Sequence, residues 1–349
     1  MPAPHDADPA SPAGPRPIRP WHRLRIPAPA APPSALTGHD VRVPRRRDVA
    51  VPDPISGAPL SVAVWQNDAA PPSGASVAGA ARPHLVFVHG FRGDHHGLQL
   101  LADCLPEFGV SSVELPGFGA SDPFPDAEHT VAHHADALAA AVAALGLDAP
   151  PVLVAHSYGT VVAAHLVQRD SGAWPALALL NPIAEPALDA SGSRADRLLA
   201  GVAETYYEAA ARLPERVSRL LLGAPPVVWV TTQAMSRTRD RDVLAYTHDQ
   251  HRRFFSGFAS ARMLSESYRA SSTGTVAQAA DRLDLPVLLV AGREDPLGSV
   301  AAQEALAARI AAAGGVPELH VLDGVGHLLH YERPAACARL LREWLAAGA

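Results

Sequence analysis

A chain of 349 residues with 48% hydrophobic content can bury a large core and reads as globular. Its net charge of −6 comes without a block of like charge, which argues against a nucleic-acid surface; all 29 basic residues are arginine, a compositional bias like the abundance of Ala and Pro. No apolar run approaches the ~20 residues that cross a bilayer, the first ten residues lack the pattern of a signal peptide, and Cys104 and Cys337 fit neither a disulfide framework nor a metal spacing, so a cytoplasmic protein without membrane insertion is expected.

Residues 1–38 are rich in Pro and Ala, lack periodicity and are expected to be disordered. The spacing of apolar residues predicts two antiparallel strands over Val41–Val51 and Leu60–Gln66, with Arg45-Arg46-Arg47 as a solvated strand edge. A Pro/Ser/Gly-rich loop follows at Ala69–Arg82. From His84 the pattern alternates between strand and helix, as parallel sheets do. Strands are expected at 84–89, 110–115, 151–156, 176–181, 286–291 and 317–322, and helices at 97–105, 130–145, 158–169, 299–313 and 334–346. The alternation stops at Pro182 and resumes near Ala277. Helices around 193–212, 214–222 and 239–269 fill the gap, which reads as a helical lid over 183–275 inserted after the sixth strand. The core is then 39–182 with 276–349.

The chemistry centres on Val152-Leu153-Val154-Ala155-His156-Ser157-Tyr158-Gly159-Thr160. A buried strand runs directly into a helix, with small residues two places either side of Ser157, so strand and helix can approach closely. Such a turn exposes the serine hydroxyl at a helix N-terminus, where developing negative charge is favoured. Acyl transfer also needs a base, a carboxylate to orient it and donors for the oxyanion. Candidates stand after two further strand ends: Asp295 in Gly292-Arg293-Glu294-Asp295-Pro296, and His327 in Gly324-Val325-Gly326-His327.

In this order the sequence resembles the α/β-hydrolase family over roughly His84–Leu345. His89-Gly90-Phe91 resembles its oxyanion loop, Pro116-Gly117-Phe118-Gly119-Ala120-Ser121 its segment after the next strand, and Gly326-His327 with Glu332-Arg333-Pro334 its histidine-bearing end. The resemblance implies an α/β fold with a mostly parallel eight-stranded sheet, a triad of Ser157, Asp295 and His327, oxyanion donors at the Phe91 and Tyr158 N–H groups, and no cofactor. Glu294 is the rival acid, and His320 and His330 are rival bases. His320 lies within a strand, and His330 is expected to face the last helix. Asn181 stands where some members of the family carry the acid. His156 is expected to pack away from the serine.

Asp94-His95-His96 and His133-His134 invite a metal reading, but adjacent histidines on a helix point in diverging directions and there is no His-x-x-x-His with a third ligand, so no metal is expected; Asp94 is expected to cap the helix starting near His96. Serine at the elbow excludes the epoxide-hydrolase and dehalogenase chemistries, which need a carboxylate there. Tyr206, Tyr207, Trp229, Met235, Tyr246, Phe254, Phe255, Phe258, Met263 and Tyr268 make the lid aromatic-rich, which suggests a small or medium apolar acyl substrate, with most of these residues packing lid to core. An ester hydrolase is the leading reading. Thioester, carbon–carbon and perhydrolytic chemistry remain open on the same triad, as does an aminopeptidase using Glu204 and Glu208 to hold the amine. A non-catalytic binding protein of the same fold is the reading from another class.

Overall fold

The computed structural model describes residues 31–70, 82–186 and 205–348. Strands β1 (Arg45–Pro52), β2 (Pro59–Asn67), β3 (Leu85–Val88), β4 (Val110–Val113), β5 (Val152–His156), β6 (Leu177–Leu180), β7 (Pro286–Gly292) and β8 (Val316–Leu322) form one eight-stranded sheet in the order β1-β2-β4-β3-β5-β6-β7-β8. β1 and β2 pair antiparallel, as does β2 with β4; every pairing from β4 to β8 is parallel. The central strands β3, β5 and β6 are buried along their whole length, so both sheet faces must be covered and the strands read as continuous apolar runs. On one face lie α3 (Val131–Leu145), α4 (Tyr158–Val167) and α10 (Val300–Ala312); on the other lie α2 (Gln99–Asp103) and α12 (Pro334–Ala346). From β3 the chain order runs outward both ways, to β4 and to β5. That reversal leaves a crevice at the strands' C-terminal ends, where open sheets of this kind bind ligands.

Between β6 and β7 the described chain is helical: α5 (205–211), α6 (Glu215–Leu222), α7 (Pro225–Met235), α8 (Arg241–Phe254) and α9 (Ala261–Thr273). Most of the expected helix 193–212 lies outside the described residues. The single helix expected over 239–269 is two, broken at 255–260, where Gly257 accepts from Gly119 N and Ser260 caps the second helix by accepting from Met263 N. The sequence pattern did not reveal α7, whose apolar residues carry little periodicity.

The expected disorder of residues 1–38 needs correction for its last part. Pro33–Thr37 forms a short helix, α1, with Pro at its first turn and Gly38 at φ 71° closing it, and Leu36 packs beside Leu100, Tyr246, Leu328 and Tyr331. Residues 1–30 and most of the loop at 69–82 lie outside the described residues. The arginine patch lies on edge strand β1: Arg45 pairs with Asp68, Arg46 with Asp48, and Arg47 donates to the Ala144 and Leu145 carbonyls at the C-terminus of α3. No described helix is long and apolar enough to cross a membrane.

Candidate active site

Ser157 stands between β5 and α4 at φ 53° and ψ −124°, a conformation L-residues rarely adopt. The close packing around it explains the small neighbours. A Cβ on Gly159 would lie 2.5 Å from the Val88 carbonyl oxygen, and one on Gly90 would lie 3.0 Å from the Ser157 Cβ. Serine at a helix start ordinarily turns its oxygen back to cap the helix. Ser157 makes no such bond, and its Oγ donates to His327 Nε2 at 2.7 Å.

His327 follows β8 on a loop with Gly324 at φ 68°. Its Nδ1–H donates to Asp295 Oδ2 at 2.9 Å and Oδ1 at 3.0 Å, which fixes the tautomer that leaves Nε2 free to accept. Asp295 Oδ1 also accepts from Leu297 N at 2.8 Å, and the Asp295 side chain is only 3% exposed. The three expected site residues thus converge from three strand ends. Their rivals do not: Glu294 is exposed, and His320 bonds the neighbouring Glu318 on the outer strand β8.

His330 and His156 depart from expectation. His330 lies in the short helix α11 (Leu329–Glu332), but its ring sits 4.0 Å from that of His156 and lines the cavity above Ser157. His156 lines the same cavity and donates Nε2–H to the His327 carbonyl at 3.0 Å. Both are buried. Desolvation, with the neighbouring histidines, holds His330 well below the ordinary range and His156 at about 3, so both stay neutral.

The expected oxyanion donors sit in rigid frames. Phe91 lies in the turn Gly90–Gly93, closed by Gly93 N to Gly90 O at 3.0 Å. The turn is tied back by His89, whose Nδ1–H donates to Gly90 O at 2.8 Å while Nε2 accepts from Leu115 N at 3.0 Å. Tyr158, the first residue of α4, gives its hydroxyl to His134 Nδ1 at 2.8 Å, and His134 Nε2–H donates to Pro116 O at 3.3 Å. Burial drives His134 down to about 3, which keeps it neutral and able to accept.

A cavity of about 150 Å³ opens on Ser157. The sheet-side wall includes His89, Phe91, His156 and His330, and the insertion contributes Thr231, Met235, Gln250, His251, Phe254 and Phe255. The wall is therefore richer in histidine than an apolar acyl pocket requires. Of the aromatic residues expected in the lid, Phe254 and Phe255 face the cavity. Tyr207 and Tyr268 instead pack edge-on to Phe91, and Tyr246 packs on Tyr331.

Several residues of consequence carried no clear motif. Asn181, at φ 45°, donates Nδ2–H to the Gly326 and His327 carbonyls at 2.9 and 2.8 Å and accepts from Gly292 N at 2.7 Å, linking the two loops that carry Asp295 and His327. From the insertion, Met235 O accepts from His327 N at 2.9 Å, and Arg237 N donates to the buried Glu332 carboxylate. The only signal for Asn181 was its position past the end of β6.

Asp94 accepts from His96 N at 2.9 Å, the expected cap. The expected divergence of the histidines is not seen: ligand atoms of Asp94, His95 and His96 lie within 4.8 Å of one another. Glu114 draws His95 Nδ1 to 2.6 Å, and the His96 ring stacks on Phe254.

The family model for serine aminopeptidase S33 matches residues 79–334. No curated protein matches the chain. Among solved structures, a thermophilic esterase from Thermogutta terrifontis, with malate bound, superposes at a TM-score of 0.66 and 20% identity, covering 86% of this chain and 98% of that one. The epoxide hydrolase CorEH gives 0.64 and 17%, with coverages of 87% and 99%. Haloalkane dehalogenase DbeA from Bradyrhizobium elkani gives 0.59 and 21%, with coverages of 87% and 98%. These likenesses are likenesses of fold.

Proposed function

The chain belongs to the serine aminopeptidase S33 family, with the α/β-hydrolase fold, and from that premise we propose that it hydrolyses small carboxylic esters through an acyl-enzyme on Ser157. The observation that carries the reading is the unbroken relay from Asp295 through His327 to Ser157, at 2.9 and 2.7 Å, at the floor of a cavity. In this reading Ser157 Oγ attacks the ester carbonyl while its proton passes to His327 Nε2. Asp295 holds the imidazolium that forms. The carbonyl oxygen becomes an oxyanion facing the Phe91 and Tyr158 N–H groups; one such donor is worth roughly 3 kcal/mol. Collapse expels the alcohol, which takes the proton from His327. Water then attacks the acyl-enzyme by the same route, releasing the acid and restoring the serine.

Serine at the elbow supports acyl transfer over the alkyl transfer of the dehalogenase and epoxide-hydrolase neighbours, where a carboxylate must attack carbon. In this reading the described residues of the insertion expected over 183–275 serve as a cap over the site. The choice of ester over peptide rests on the carboxylates. An amine-recognising site needs an acid facing the substrate, and among the described residues Asp94 is the carboxylate that lines the cavity, already bonded to His96. Glu208 instead reaches Arg212 and Arg269, and Glu204 lies outside the described residues. The small volume favours short acyl groups. A fluorophosphonate probe tests the serine, and a panel of p-nitrophenyl esters, acyl-CoA thioesters and aminoacyl anilides tests the bond. Turnover confined to anilides would move the protein to the aminopeptidases.

A further inference from the structure

Arg92 occupies the third position of the Gly90–Gly93 turn at φ 59°, where glycine would be free of strain. A non-glycine residue there is strained and persists only where its surroundings compensate. The compensation lies in the side chain, which is buried and reaches wholly into the helical insertion. Nε–H donates to Phe255 O at 3.0 Å, Nη2–H to Leu222 O at 2.9 Å and Nη1–H to Tyr207 OH at 3.2 Å. Leu222 ends α6 and Phe255 is the C-cap of α8, so the guanidinium sits where two helix C-termini present carbonyls and the negative ends of their dipoles. The guanidinium also lies 4.2 Å from the Phe255 ring centroid. A buried cation is stabilised there, by carbonyls drawn from separate parts of the insertion.

The other central residue of the turn is Phe91, whose ring meets Tyr207 and Tyr268 edge-on at 5.6 and 5.7 Å. At the opposite end, Gly90 rests against Ser157. The turn that carries the Phe91 N–H is thus pinned between the nucleophile and the insertion. Given the ester-hydrolase reading, on which this rests, we infer that Arg92 is a positioning residue: it fastens the oxyanion turn to the insertion and so aims the Phe91 N–H at the developing oxyanion. The insertion is then part of the catalytic frame, and its removal or displacement costs transition-state stabilisation besides substrate binding.

Glycine at position 92 separates the two contributions of this residue, because it relieves the backbone strain while deleting the bracket. Arg92→Gly should lower kcat on a short p-nitrophenyl ester by about 10–100-fold, less than the loss of a whole oxyanion donor, with KM changed less than threefold. Affinity for an alkyl boronic acid, which forms a tetrahedral adduct on serine, should fall in parallel with kcat. Millimolar guanidinium, too dilute to unfold the chain, should restore part of kcat in Arg92→Gly and none in the wild type. Arg92→Lys, which cannot span the separated carbonyls, should fall between the two. The inference is overturned if the wild type turns over esters and Arg92→Gly keeps kcat within twofold. It is equally overturned if kcat is lost in step with the folded fraction, measured by thermal unfolding, with no recovery on adding guanidinium. A wild type that no fluorophosphonate labels at Ser157 would instead sink the ester-hydrolase reading itself.

Discussion

His156 donates its Nε2–H to the backbone carbonyl of His327 at 3.0 Å, so the residue before the elbow serine holds the loop that carries the serine's partner. The same carbonyl accepts from Asn181 Nδ2 at 2.8 Å, and both donors are buried. The loop's geometry therefore depends on neutral donors. Asn181→Asp tests this dependence. One carboxylate oxygen could still accept from Gly292 N, but the other would face the Gly326 and His327 carbonyls, placing acceptor against acceptor in a dry site. A loss of about 2–4 kcal/mol in unfolding free energy is expected at neutral pH, together with a marked fall in kcat. Urea denaturation of the purified variant checks the first, and unaltered stability would show that the loop does not need the amide.

Replacing Ser157 by Ala should abolish ester turnover, leaving at most the residual rate supplied by binding and the oxyanion donors. The thermal midpoint should not fall, since the hydroxyl caps no helix. Wild-type turnover in this variant would end the assignment.

Asp295→Asn should reduce kcat by about 10⁴-fold, because the amide no longer fixes the His327 tautomer. Glu294→Gln should change little, its side chain being exposed. Steady-state kinetics on both variants decides between the neighbours. A reversed result would reassign the acid.

Desolvation holds His134, His156 and His251 each at about 3, against an ordinary value of 6.5. Between these limits the unfolded chain binds protons that the folded chain does not, so stability is full above pH ~7 and falls as pH drops below 6.5. His251→Phe removes one such group; His251 already stacks on Phe255 at 5.0 Å. On going from pH 8 to pH 5 the variant should lose about 2 kcal/mol less unfolding free energy than the wild type. Denaturation curves at the two pH values measure this, and identical losses would mean that His251 is not buried neutral.

Glu332 has the opposite sign. Burial raises its carboxyl to about 7 against the backbone N–H donors of Arg237 and Gly326, so the folded chain binds the extra proton between pH 4.5 and 7 and stability falls as pH rises through that window. Glu332→Gln, uncharged throughout, should be more favourable relative to wild type at pH 8 than at pH 5, by about 2 kcal/mol. Thermal midpoints of both proteins at the two pH values test it. An equal offset would place the titration outside this window.

The alternation of apolar strands and helices from His84 onward determined the architecture, because short continuous apolar runs and period-3.6 patterns are local properties of the chain. The small residues around Ser157, and the positions of Asp295 and His327 just past strand ends, were likewise legible as candidates, because parallel strands bring their C-terminal ends to one edge. What tertiary structure alone decided is which groups hold those candidates in place. Asn181 and Arg92 act through backbone carbonyls distant in sequence, and a carbonyl has no sequence signature. His330 was misplaced because α11 is a single turn, too short for periodicity to show its face, and only its packing on His156 turns it into the cavity. α7 was hidden because its apolar residues carry little periodicity, and the break between α8 and α9 because it is held by backbone bonds to a distant loop, Gly119 N to Gly257 O and Ala259 N to Gly117 O.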